Sequence, residues 1–211
     1  MKIYNLNIRG LGGGTKGRYM RRCFSVEEVE FVCLQETKTA EVTDAKIFSL
    51  WGDNNVGWIH NGGINGSGSF LSMWHREAFI FESHSMGKGY IADVGIHVRS
   101  GQRCCVVNVY AACNLKEKKI LWEELASYKA ASQIEVWCFC GDFDVIRSRS
   151  ERKGVDRGDF SSEIKDFNDF IESNLLLDLP IVEKKYTWFK ANGTAKSRID
   201  RVLVSEEWLQ K

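Results

Sequence analysis

Cys138-Phe139-Cys140-Gly141-Asp142-Phe143-Asp144 decides how this chain is read: an apolar run stops abruptly at a glycine and two carboxylates. A short apolar run rich in β-branched and aromatic residues predicts a buried strand, so a carboxylate at its far end stands where the strand leaves the core. Further runs end alike, at Leu6-Asn7, Leu34-Gln35-Glu36, Val107-Asn108-Val109-Tyr110, Tyr186-Thr187-Trp188 and Ser197-Arg198-Ile199-Asp200. In open α/β sheets ligands gather at the carboxyl ends of strands. Asn7, Glu36, Tyr110, Asp142, Asp144 and Asp200 brought together would line an oxygen-rich, acidic pocket. Hard oxygen donors suit Mg²⁺, with Mn²⁺ as the alternative ion, better than a soft metal, and the chemistry implied is metal-assisted hydrolysis of a phosphodiester.

The 211 residues are 44% hydrophobic, enough for a sizeable core. With one proline, Pro180, and no long polar tract, residues 1–211 are expected to form a single domain. Lys and Arg number 29 against 28 Asp and Glu, a net charge of +1. No global field therefore favours nucleic acid or membrane, and polyanion binding must come from a local patch. The seven cysteines include Cys104-Cys105 and Cys138-x-Cys140 but no spaced CxxC pair of the zinc kind. Cys33, Cys138 and Cys140 fall inside apolar runs, where a thiol acts as a small hydrophobe, and a reducing compartment is expected. The opening Met1-Lys2-Ile3-Tyr4-Asn5-Leu6-Asn7 has no signal-peptide character, and no apolar stretch approaches about 18 residues. The expectation is an intracellular protein, nuclear or cytoplasmic and not secreted, with no membrane contact and no obligate protein partner. Asn65-Gly66-Ser67 and Asn192-Gly193-Thr194 are read as turns.

Strands are predicted over residues 2–8 and 30–36, joined by a glycine-rich connector and a basic segment, 16–22, that suits a helix. Residues 56–107 are rich in strands and turns, with Asp93-Val94-Gly95-Ile96-His97-Val98 alternating as a strand should, and predict a β-meander. Asn114 caps an amphipathic helix carrying Leu115, Leu121, Trp122, Leu125 and Tyr128 on one face, its lysines read as solvated. A second helix starts at Asp159 or Ser161 and buries Ile164, Phe167, Phe170 and Ile171, and final strands span 184–190 and 197–204. Two sheets packed face to face with helices outside would bury all of this.

Asn7 in Leu6-Asn7-Ile8-Arg9-Gly10, Gln35-Glu36-Thr37-Lys38, Asn108-Val109-Tyr110, Gly141-Asp142-Phe143-Asp144 and Ser197-Arg198-Ile199-Asp200-Arg201 follow one another as in the endonuclease/exonuclease/phosphatase superfamily. The chain resembles most the apurinic-endonuclease-like domain of plant non-LTR (LINE-type) retrotransposons, through Ser150-Glu151-Arg152, Tyr186-Thr187-Trp188 and Ser197-Arg198-Ile199-Asp200-Arg201-Val202-Leu203-Val204-Ser205. That resemblance implies a DNase-I-like four-layer α/β sandwich of two packed mixed sheets flanked by helices, acting on DNA with Mg²⁺. Carried over by position, Glu36 and Asn7 resemble the metal site, and Tyr110, Asn108 and Thr187 the contacts to the substrate phosphate. Asp142 resembles the group that orients or deprotonates the attacking water and Asp200 the aspartate that supports the family's catalytic histidine, and Asp144, beside them, is counted in the same catalytic set. Chemically, a divalent ion neutralises the anionic phosphate while a carboxylate takes the water proton.

Two departures count against turnover. Asp144 stands where the family has an asparagine, and an ionised carboxylate cannot donate a hydrogen bond to phosphate. Two like charges ~4 Å apart repel by about 1 to 4 kcal/mol between water and a protein surface. The family's terminal Ser-Asp-His strand has no counterpart, so the domain is expected to be incomplete at its C-terminus, with an open sheet edge beside residues 197–204. The four histidines, His60, His75, His84 and His97, fall in the meander and are expected to be structural or exposed. Three readings stay open: an impaired endonuclease, an element-derived remnant that keeps the fold without turnover, and a binding module. The last would use Lys16, Arg18, Arg21, Arg22, Arg147, Arg149, Arg152, Lys153 and Arg157.

Overall fold

The computed structural model describes residues 1–63, 68–154 and 160–210, so the turn at 65–67 and Asp156, Arg157 and Asp159 lie outside the described residues. In chain order come β1 (Ile3–Asn7), α1 (Gly14–Val26), β2 (Phe31–Gln35), α2 (Asp44–Trp51), β3 (Val56–Asn61) and β4 (Phe70–His75). There follow β5 (Phe79–Gly87), β6 (Tyr90–His97), β7 (Gln102–Tyr110), α3 (Leu115–Ala131) and β8 (Val136–Asp142). The last part holds β9 (Arg152–Gly154), α4 (Ser161–Ser173), β10 (Leu176–Asp178), β11 (Trp188–Phe189), β12 (Ala195–Ser197), β13 (Asp200–Ser205) and α5 (Glu206–Leu209).

Two mixed sheets pack on each other, in the orders β1-β2-β4-β3 and β10-β13-β8-β7-β6-β5, and a small sheet β11-β12-β9 stands beside them. Strand alternation sorts the core into three layers. Val32, Leu34, Leu71 and Met73 point outward against Met20, Phe24, Ile47 and Leu50 of α1 and α2. Phe31, Cys33, Trp74, Cys104, Val106, Cys138 and Cys140 point inward and fill the space between the sheets. Cys105, Val107, Val109, Trp137 and Phe139 face Leu121, Trp122 and Leu125 of α3 and Phe167 and Phe170 of α4. The central strands β2, β4, β6, β7 and β8 are buried on both faces, which is why they appear in the sequence as largely apolar runs. All seven cysteines are free thiols. Among the described residues no helix is long and apolar enough to cross a membrane.

Several expectations need correction. The meander is split: β3 and β4 pair in the first sheet, while β5, β6 and β7 belong to the second. The tight turn closed by the Ala78 N–H on the His75 carbonyl carries the chain across. The run 197–204 is two strands in two sheets, β12 pairing with β9 and β13 pairing with β8. Nor is β13 an open edge, because β10 returns to pair with it from Leu176↔Ser205 to Asp178↔Leu203. Of residues 184–190 only Trp188–Phe189 are strand. Helix α2, not anticipated from the sequence, is capped by the Thr43 hydroxyl accepting from the Lys46 N–H and buries Ile47, Leu50 and Trp51. On α3, Leu115 is exposed and Lys118 takes its place on the buried face, at i, i+3, i+4 and i+7 with Leu121, Trp122 and Leu125.

Candidate active site

Strand register assembles the site. Tyr110, at the end of β7, is paired with Asp142, at the end of β8, and Asp142 is paired with Asp200, the first residue of β13. Three functional side-chain positions thus lie side by side on the second sheet. On the first sheet, parallel pairing of Asn7 with Gln35 places Asn7 beside Glu36, the residue that follows β2. The two groups meet across the interface: the Asn7 Nδ2 donates to Glu36 Oε1 at 2.8 Å and to Asp142 Oδ2 at 3.0 Å. Asn7, Glu36, Tyr110, Asp142, Asp144 and Asp200 therefore converge at one end of the sandwich.

Burial, with charge crowding added, sets the protonation chemistry. Asp142 is 9% exposed. Burial, then the neighbouring Asp200 and Asp144 carboxylates, push its pKa up to about 7, against hydrogen bonds from Asn7 and the Asp144 N–H that favour the charged form. Burial also raises Asp200, opposed by a hydrogen bond from Thr187 and by the Arg9 charge. Tyr110 is raised by burial first and then by Glu36 and Asp142, so its hydroxyl keeps its proton and stays a donor. A carboxylate poised near neutral pH next to a locked hydroxyl donor suits proton transfer from water and recognition of an anion.

Backbone strain is concentrated here. Arg9, Glu36, Lys38 and Asp144 all have positive φ, between 47° and 54°, a region that non-glycine residues visit rarely and mostly where surrounding structure enforces it. At Glu36 it is enforced by the Gly10 N–H on the Glu36 carbonyl, 2.6 Å, and the Thr37 N–H on the Ser69 carbonyl, 3.0 Å. Gly141 has φ 150°, and a Cβ there would lie 1.9 Å from the Val109 carbonyl oxygen. Only glycine lets β8 come this close to β7 just before Asp142.

Two of the residues expected to contact the substrate phosphate are engaged in hydrogen bonds within the fold. Asn108 is fully buried between the sheets, accepting from Gln35 Nε2 at 2.7 Å and donating to the Leu71 carbonyl at 3.1 Å. Its amide is used up in the core two residues below Tyr110, which departs from the expected phosphate contact. The Thr187 hydroxyl accepts from the Ile199 and Asp200 N–H groups, both at 3.0 Å, and so holds Asp200 in place. Asp144 is not the bare charge expected from the sequence: Lys118 Nζ lies 3.1 Å from its Oδ2. Lys118 departs from the solvated lysine face expected of α3, and its spacing with the apolar residues of that helix is the signal in the sequence that marks it. Of the histidines, His60 reaches Thr37 Oγ1 at 3.3 Å beside Glu36, whereas His97 lies 3.6 Å from Glu30, which precedes β2.

The Ser150-Glu151-Arg152 and Ser197-Arg198-Ile199-Asp200-Arg201 motifs meet in one buried ion-pair network behind the site. Arg201, its side chain 0% exposed, pairs with Glu151 and with Asp178, the latter at 2.7 Å. Arg198 reaches Asp178 at 2.7 Å, and Arg147 reaches it at 3.4 Å. Lys16 of the basic segment donates to the Ile8 and Gly10 carbonyls at 2.6 and 3.0 Å. Lys16 and Arg147 of the expected cationic patch are thus engaged within the fold.

Among the described residues no three His, Cys, Asp or Glu side chains stand close enough to hold an ion alone. Mg²⁺ keeps several waters and takes one or two carboxylates, and Glu36 with Asn7, beside the Asp142, Asp144 and Asp200 carboxylates, fits that demand. The solved AP endonuclease LMAP of Leishmania major has a similar fold, at TM-score 0.70 and 16% identity, over 97% of this chain and 78% of that one. The Xenopus laevis APE2 catalytic domain is similar at TM-score 0.71 and 16% identity, over 98% and 83% of the two chains. So is an AP endonuclease from Archaeoglobus fulgidus, at TM-score 0.71 and 13% identity, over 98% and 88%. These place the two packed sheets and their flanking helices in the DNase-I-like fold. No curated protein matches the sequence closely enough to be counted. The model of the endonuclease/exonuclease/phosphatase family matches residues 5–211, so the chain belongs to that family.

Proposed function

We propose that this protein hydrolyses phosphodiester bonds in DNA with Mg²⁺ bound at Glu36 and Asn7. The observation that carries the reading is the Asn7 amide spanning both sheets, 2.8 Å from Glu36 and 3.0 Å from Asp142, with Tyr110 and Asp200 in register alongside. When bound, the ion supplies neutralisation of the phosphate and of the leaving oxygen. The protein's own residues do the rest. Asp142, with its pKa about 7, accepts a proton from the attacking water, and Asn7 orients its Oδ2. Tyr110 keeps its proton and donates to a non-bridging phosphate oxygen. Thr187 holds Asp200 beside Asp142, where its charge adds to the effect of burial and keeps the Asp142 pKa high enough for it to act as a base near neutrality.

Nicking of supercoiled plasmid with Mg²⁺ tests this. The protein should relax the plasmid, and Glu36→Ala should lower the rate by about 100-fold or more, the scale of losing a principal electrostatic stabiliser. Equal rates for the two proteins would overturn the reading. A second reading, a retained fold without turnover, is favoured by Asp144, whose charge adds to the crowding at Asp142. It predicts no relaxation by either protein. We also infer a LINE-type retrotransposon ancestry, supported by the joint use of Ser150-Glu151-Arg152 and Ser197-Arg198-Ile199-Asp200-Arg201 in one network.

A further inference from the structure

Lys118 is a lysine out of place. Its side chain is 4% exposed, and a buried ammonium is unfavourable unless every proton finds an acceptor. It has three N–H donors and three partners: the main-chain oxygen of Asp144, Asp144 Oδ2 at 3.1 Å, and Glu163 Oε1 on α4. Two of the three grips fall on one residue, and that residue sits in the left-handed conformation at φ 47°. A cation holding both the carbonyl and the carboxylate of Asp144 fixes a left-handed turn, which non-glycine residues adopt as single positions where their surroundings hold them. One turn further along α3, Trp122 stacks on Phe143 with ring centroids 5.9 Å apart. Residues i and i+4 of one helix therefore pin consecutive residues of the catalytic loop.

The grip is passed on. The Asp144 N–H donates to Asp142 Oδ1 at 3.1 Å, while Asn7 holds the other oxygen, Oδ2. Both Asp142 oxygens are thus aimed, one from the first sheet and one from the loop that Lys118 holds. We propose that Lys118 is a positioning residue of the active site: through Asp144 it fixes the loop that orients Asp142, and it screens the Asp144 carboxylate from the substrate phosphate. The ammonium is already seated against Oδ2, so Asp144 is tied to Lys118 rather than presented to a second metal ion. This inference rests on the proposed phosphodiesterase reading only for its effect on rate; the loop geometry stands apart from it.

The test combines Lys118→Met, which keeps the length and removes the charge, with Asp144→Asn and the double variant. Amide exchange followed by NMR should show the Asp144 N–H exchanging about 10-fold faster or more in Lys118→Met, with Val32 and Leu34 of β2 unchanged. With plasmid and Mg²⁺, the maximal nicking rate should fall about 10-fold while the plasmid concentration for half-maximal rate stays within about two-fold. Asp144→Asn added to Lys118→Met should restore much of the rate, because it removes the stranded carboxylate. A lysine needed only for stability would loosen core amides generally and would not be rescued. If Lys118→Met is too unstable to isolate, Lys118→Met with Glu163→Gln leaves fewer unpaired carboxylates and serves the same comparison. Unchanged Asp144 exchange, or no rescue by Asp144→Asn in a nicking-competent protein, overturns the proposal. A wild-type protein that never nicks would sink the phosphodiesterase reading, and the exchange measurement would still decide the role of Lys118.

Discussion

Asp142 keeps a proton at pH values where an exposed aspartate has lost it, since burial and two neighbouring carboxylates raise its pKa to about 7. In the unfolded chain the same group titrates near about 4, so between those values the native state binds more protons than the unfolded one. Stability contributed by this group is therefore highest below about pH 4 and declines as pH rises toward 7. A tenfold change in proton affinity is worth about 1.4 kcal/mol, here divided between Asp142 and its partners. Asp142→Asn should consequently stabilise the metal-free protein by about 1 to 3 kcal/mol more at pH 8 than at pH 4.5. Urea melts in a chelator at the two pH values check this, and an equal effect at both would contradict the raised pKa of Asp142. Residue type and residue role also separate here. Asn108 belongs to a family motif, but its amide is spent on Gln35 and the Leu71 carbonyl, so it holds the two sheets together beneath Tyr110.

At the scale of elements, the candidate site is backed by a buried ion-pair network. Arg201 on β13 joins Glu151, before β9, to Asp178 at the end of β10, and its guanidinium lies 5.7 Å from the Phe167 ring of α4. Removing one member of such a buried network leaves unpaired charges in the core. Arg201→Ala should cost about 3 to 5 kcal/mol of stability, measured by denaturant unfolding, and a loss under about 1 kcal/mol would show the network to be incidental. The same elements show the limits of sequence patterns. Helix α3 is legible from Asn114 and its apolar spacing, whereas α2, at eight residues, is short enough for its period to be lost. The two-residue strand β11 is held by pairing with β12, a tertiary partner that local propensity does not register.

For the whole molecule, the ends of two sheets from distant parts of the chain come together and gather the carboxylates of Glu36, Asp142, Asp144 and Asp200 at one end of the sandwich, with Lys38 3.6 Å from Glu36 and Lys118 3.1 Å from Asp144 as counter-charges. A divalent ion that binds this native arrangement and not the unfolded chain stabilises the fold by mass action, about 2.7 kcal/mol at 100 times its Kd. For a domain of this size that is about 5 to 10 °C in Tm. Thermal scans should show this rise with saturating Mg²⁺ in the wild type and little of it in Glu36→Ala; equal rises would place the ion elsewhere. The sequence by itself determined the fold class and picked out six strand-end residues, Asn7, Glu36, Tyr110, Asp142, Asp144 and Asp200, that the fold brings to one end of the sandwich, because doubly buried strands must be apolar and their polar ends must leave the core. It determined the need for glycine at 141 only as a pattern; the 1.9 Å approach to the Val109 carbonyl gives the reason. Tertiary structure alone decided that β13 is covered by β10, that the Asn108 amide is buried between the sheets, that the Thr187 hydroxyl accepts from the Ile199 and Asp200 N–H groups, and that Asp144 is gripped by Lys118. The physical reason is range. Burial of a strand is written into its own residues, but a charge is neutralised by whichever residue the fold brings near, here one 26 positions away along the chain.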